Sequence, residues 1–135
     1  MNVKKNIEEA KRLYEAAEDD LDSCGILLVH KKHAHACLFA RQAALKALQA
    51  AYCYYNTGEG ENPLPGLLVG LRYLHRETFR KLEKFIPAIE KLEKYGSPAH
   101  ARDTTIAKEE SDSCVNAAYH ILAEIKALIA YEDPS

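Results

Sequence analysis

Apolar residues recur over the first 30 positions in alternating steps of three and four. Ile7, Ala10, Tyr14, Ala17, Leu21, Cys24 and Leu28 thereby share one stripe of a helix. Glu8, Glu9, Glu15, Glu18, Asp19, Asp20 and Asp22 lie mostly off that stripe, toward water or a partner. A short basic connection, His30-Lys31-Lys32-His33, leads to a second helix over about residues 34–56. Ala36, Cys37, Leu38, Phe39, Leu45, Leu48 and Tyr52 make this helix apolar on nearly every face. Such a helix is the most buried of its fold, or is covered on one side by a second subunit. Thr57 to Gly66 holds three Gly and two Pro in ten residues and reads as a long, functional loop. A short helix over 67–74 follows, then a longer one over 77–95 that Pro87 should kink or divide. Gly96-Ser97-Pro98 ends it, and Asp103, Thr104 and Thr105 are candidate N-caps for a last helix over about 105–131. Cys114, Ala118, Ile121, Ile125 and Leu128 run in register along that helix, with acidic Glu109, Glu110 and Asp112 at its dipole-favoured start. The pattern predicts an all-α, up-and-down bundle of four main helices plus a short one, forming a single domain over 1–135.

Composition supports helix over strand, since 20 Ala and 16 Leu stand against 16 β-branched residues. The longest apolar run, Ala50 to Tyr55, is six residues, well below the ~20 that span a bilayer. The chain turns acidic before any apolar stretch, so no secretory signal is expected. Cys24, Cys37, Cys53 and Cys114 form no C-x-x-C pair and sit in apolar helical surroundings, which reads as free thiols in a reducing cytoplasm. The net charge of −2 conceals a partition: residues 1–30 carry −3, residues 31–102 carry +6 and residues 103–135 carry −5. The middle of the chain can therefore present a basic face, against the commoner meaning of a solvated helix surface.

The catalytic signatures that such a length could host are missing. Di-iron bundles use Glu-x-x-His, but the residues three before each His are Leu27, His30, Lys32, Arg72, Ser97 and Ala117. His30, His33 and His35 have neither carboxylate nor Cys ligands beside them, so capping or surface histidines are expected rather than a metal site. No P-loop, G-x-G-x-x-G, G-x-S-x-G or H-E-x-x-H occurs, and no cofactor is implied.

The stretch Leu38-Phe-Ala-Arg-Gln-Ala-Ala-Leu-Lys-Ala-Leu-Gln-Ala50 resembles the second-helix signature of HEPN-domain proteins, approximately apolar-x-x-x-Gln-Ala-x-Glu-Lys-Ala-Leu-Lys-Ala. Gln42, Ala43, Lys46, Ala47, Leu48 and Ala50 match, while Leu45 replaces the Glu and Gln49 the second Lys. Asp20-Leu21 fits the preceding helix, and helix order and spacing agree over about residues 15–130. Two departures stand out: Leu64-Pro65-Gly66-Leu67-Leu68 lacks the His-x-Leu that often follows the long loop, and only Ala101-Arg102-Asp103 remains of Arg-Tyr-Pro-Asp. The nuclease branch resembles Arg followed by His after four to six residues, and no Arg here has such a His; Arg72-Tyr-Leu-His75 is too short.

The resemblance thus implies the non-catalytic branch, an accessory subunit that binds nucleotide or RNA and partners a minimal nucleotidyltransferase in a toxin–antitoxin-like pair; the nearly all-apolar second helix adds the expectation of a homodimer, and the free thiols that of a cytoplasmic location. The competing expectation is an assembly module with no ligand. Arg41 and Lys46 interrupt an otherwise apolar helix and are the leading ligand-binding candidates, with Gln42 between them. An unpaired buried charge would be costly, so each must meet an anionic ligand, a partner, or a carboxylate such as Asp20 or Asp103, unless it snorkels to the surface. Tyr52, with Tyr54 and Tyr55, could stack on a base or form a core rim or interface. Arg102 and Asp103 are candidates at the lip of the last helix.

Overall fold

The computed structural model describes residues 3–57, 60, 63–95 and 106–132, and no strand occurs among them. Helix α1 spans Val3–Val29 and α2 spans His33–Tyr54. Ala10, Ala17 and Cys24 of the α1 stripe are fully buried against α2. Alanine on both helices lets the two axes approach closely, so a long contact forms with few bulky side chains. The turn between them is a Schellman motif. Lys32 N–H donates to Leu27 O (2.8 Å) and Lys31 N–H to Leu28 O (3.0 Å), with Lys31 in the left-handed region at φ 59°. Asn56 closes α2 in the same way, at φ 56°, with Thr57 N–H donating to Tyr52 O.

Helix α3 spans Leu64–Leu74, α4 Arg76–Leu82, α5 Ile86–Tyr95 and α6 Lys108–Glu132. The expected loop is shorter than its composition suggested, because Pro65 and Gly66 already belong to α3. Proline in a first helical turn loses no hydrogen bond, since its missing N–H would be unpaired there anyway. Pro87 divides the following segment as expected. It sits in the first turn of α5, after the 3-10 turn Glu83–Phe85. Backbone angles stay helical through Leu82, Glu83 and Ile86, so α4, the 3-10 turn and α5 make one composite rod. With α1, α2 and α6 it gives the four rods of the bundle, and α3 is the additional short helix. The last helix begins at Lys108; its expected caps Asp103, Thr104 and Thr105 lie outside the described residues.

Helix α2 touches α1, α3, α5 and α6 and contributes ten buried residues, so the helix with the least polar pattern is the hub of the core. Around it gather Leu64, Leu67, Leu68, Leu71, Leu82, Ile89, Leu92, Ile121 and Ile125, all inaccessible to solvent.

Candidate functional site

Because α2 is buried over most of its circumference, its polar residues crowd onto a narrow outward arc. Leu38, Phe39, Gln42, Leu45, Lys46 and Gln49 are all half-buried there. Arg41 and Lys46 border this arc on opposite sides, and each is held by a carboxylate from a neighbouring helix. Lys46 Nζ donates to Asp20 Oδ2 at 2.7 Å, with Asp20 only 13% exposed. Arg41 Nη2 donates to Glu93 Oε1 at 2.9 Å, while Glu93 Oε2 is buried and has no hydrogen-bond partner among the described residues. The Lys46 partner is one of the two carboxylates the sequence offered; the Arg41 partner, Glu93, lies 52 residues away and was not foreseen. Gln49 Nε2 donates to Gly60 O (3.1 Å), tying the loop after α2 to the same arc.

Tyr52 is placed elsewhere. It is 2% exposed, and its hydroxyl donates to Leu67 O at 2.8 Å, which pins α3 to α2 and leaves no ring face accessible for stacking on a base. Arg102 and Asp103 lie outside the described residues. The structure therefore brings Arg41, Gln42 and Lys46 to one arc of α2 and separates Tyr52 from them.

His33 and the cysteines take structural positions. His30 and His35 are exposed, whereas His33 Nδ1 meets Ser111 Oγ at 2.9 Å. Ser111 in turn donates to Lys108 O, so His33 links the starts of α2 and α6. Among the described residues no three His, Cys, Asp or Glu side chains converge as metal ligands. All four cysteines are free; the Cys24 thiol donates to Ala36 O at 3.3 Å, and burial, then the nearby Asp20, pushes its pKa up to about 12. A hydrogen bond with Cys114, together with burial, holds Cys37 well above the ordinary thiol range. Protonated thiols at these positions are poor nucleophiles.

A second polar surface, unforeseen as a unit, forms where α3 meets α4. The chain breaks at His75 (φ −155°, ψ 95°), whose Nδ1 accepts from Thr78 N–H and caps α4. Arg72, Arg76 and Arg80 are exposed on both sides of this break, next to Tyr73, which is 78% exposed. Their four-residue spacing was the available signal, and the +6 bias of the middle of the chain points to the same segment.

Among the described residues no helix is long and apolar enough to cross a membrane. Neither the curated proteins nor the solved structures provide a match to the chain. The family model described as HEPN domain matches residues 10–128, from the first buried alanine of α1 to the last turns of α6. That match covers most of the sequence and all the helices that build the core, and the chain belongs to the HEPN domain family.

Proposed function

We propose that this chain is a non-catalytic HEPN accessory subunit that self-associates through the outward arc of α2 and binds nucleotide or RNA beside it, in company with a minimal nucleotidyltransferase. The observation that carries the reading is the arc itself: Leu38, Phe39 and Leu45 are left half-buried on the helix that otherwise forms the hub of the core. Apolar area of this kind is gainfully covered by a second copy, whose own arc is complementary by symmetry. The flanking Arg41–Glu93 and Lys46–Asp20 pairs fix the orientation of the border and supply the cations to which a phosphate group could turn.

Sedimentation equilibrium at micromolar concentration tests the association. Wild type sediments as a dimer and Leu45→Glu as a monomer, and a wild-type monomer overturns the proposal. Calorimetric titration with ATP and a short RNA, repeated for Arg41→Ala and Lys46→Ala, tests the ligand. Binding unaffected by both substitutions removes α2 as the site.

A specific observation favours a second reading, an assembly module without ligand. Both cations are already neutralised within the protomer, so an anion must displace Glu93 or Asp20 to reach them. Dimerisation without binding of either ligand would select that reading.

A further inference from the structure

We infer that the corner between α3 and α4 is a binding surface for single-stranded nucleic acid, with phosphates held by Arg72, Arg76 and Arg80 and a base stacked on Tyr73. The inference rests on the nucleotide- or RNA-binding reading for its class of ligand, but it uses a different face of the molecule.

Arg41 and Lys46 spend their charge on internal carboxylates, whereas Arg72, Arg76 and Arg80 are exposed and form no ion pair with a carboxylate among the described residues. Together with Tyr73 and Phe79 they line one concavity of ≈ 620 Å³, which also receives Glu83 at its edge. Arg80 borders a second concavity of ≈ 280 Å³ next to it, where Lys84, Phe85 and His120 contribute and Glu124 is the acidic neighbour. Phe85 and His120 are stacked there at 4.9 Å between ring centroids. Arg80 thus joins two concavities whose linings hold three guanidinium groups and the rings of Tyr73, Phe79, Phe85 and His120.

Spacing and chemistry select the ligand. Arg76 and Arg80 lie one turn apart on α4, which sets their stems about 6 Å apart along the axis, a step that successive phosphates of an extended strand can match. The guanidinium of Arg72 lies 4.8 Å from the Tyr73 ring centroid, and its Nη2 donates to the Tyr73 hydroxyl at 2.7 Å. This contact places the exposed ring directly beside the phosphate-binding groups. Arginine gives forked donors to phosphate oxygens, and an exposed aromatic face accepts any base, so sequence-independent recognition of a flexible strand follows. A duplex hides its base faces, and the acidic side chains of a peptide offer no aromatic ring to stack on Tyr73.

The test is fluorescence anisotropy with a labelled oligouridylate of about 12 nucleotides, a length one such surface can hold. Wild type binds it; the triple variant Arg72→Gln, Arg76→Gln, Arg80→Gln weakens binding by about tenfold or more. Tyr73→Ala weakens it by roughly fivefold or more. The charge-matched variant Arg12→Gln, Lys108→Gln, Lys126→Gln, on exposed positions of α1 and α6, retains wild-type binding. All substituted positions are exposed, and circular dichroism confirms that each variant is folded. Equal loss in the charge-matched variant, equal competition by polyglutamate, or preference for a duplex of the same length overturns the inference. Failures of the two proposals are separable. If Arg41→Ala and Lys46→Ala abolish oligonucleotide binding while the corner variant does not, the corner inference falls and the α2 site stands. The reverse result removes the α2 site and leaves the corner.

Discussion

Single side chains on this molecule differ in how much they carry, and burial decides the difference. The Lys46–Asp20 pair joins α2 to α1 with a carboxylate that is only 13% exposed, whereas the Lys108–Asp112 pair sits at 72% and 46% exposure on one helix. A double-mutant cycle on urea stability should give a coupling of about 1 kcal/mol for the first pair, because removing Lys46 leaves the Asp20 carboxylate poorly solvated. The second should fall below about 0.5 kcal/mol. Equal couplings would show that burial is not what distinguishes them. Cys24 makes a pH prediction of definite sign. Its folded pKa is raised to about 12, above that of a free thiol at about 8.5, so the folded state holds the proton more tightly. The stabilisation is full below about pH 8.5 and is lost as pH climbs toward 12, with a slope of at most about 1.4 kcal/mol per pH unit from this thiol. Urea midpoints from neutral pH upward should fall in wild type and fall less steeply in Cys24→Ala; identical slopes refute the assignment.

At the scale of elements, what was legible from sequence was whatever depends on local spacing. The α1 stripe, the nearly all-apolar α2 and the division before Pro87 each follow from residues within a few turns of one another. Pro65 and Gly66 read as breakers by composition, yet α3 already begins at Leu64, because a first turn has no use for the missing N–H. The placement of Tyr52 depends on α3 folding back onto α2, which no local pattern encodes. That contact makes Gly70 sensitive, since a Cβ there would collide with the Tyr52 hydroxyl. Gly70→Ala should cost about 1–3 kcal/mol by displacing the hydroxyl from Leu67 O. The same substitution in a Tyr52→Phe background should cost distinctly less, and an undiminished cost would exclude the hydroxyl as the cause. The α1–α2 turn offers the opposite case. Lys31 holds a left-handed φ of 59° where glycine is unstrained, so Lys31→Gly should raise stability by about 1 kcal/mol in urea titration. Asn56→Gly, at nearly the same φ, should gain less, because asparagine tolerates that region.

Across the whole molecule the near-neutral net charge is the sum of segregated parts. The acidic first and last segments form α1 and α6, which pack on one another, while the surplus of cations belongs to the chain between them. Folding then sorts those cations by availability: Arg41 and Lys46 close against Glu93 and Asp20, and Arg72, Arg76 and Arg80 remain on the corner. Position in sequence gives the bias but not this sorting, because the partners of Arg41 and Lys46 come from other helices. With a net charge of −2, the molecule exerts no bulk attraction on a polyanion, so association with nucleic acid must come from these local contacts. The number of contacts is then readable from salt. Neutralising three phosphates of a single strand should give a slope of log K against log salt of about −2, at ~0.7 per contact, between about 50 and 200 mM salt. Each single arginine-to-glutamine change at the corner should reduce that slope by about 0.7 while affecting different oligonucleotide sequences alike. A slope near zero in wild type, or one that the corner substitutions leave unchanged, would show that these arginines do not meet phosphate.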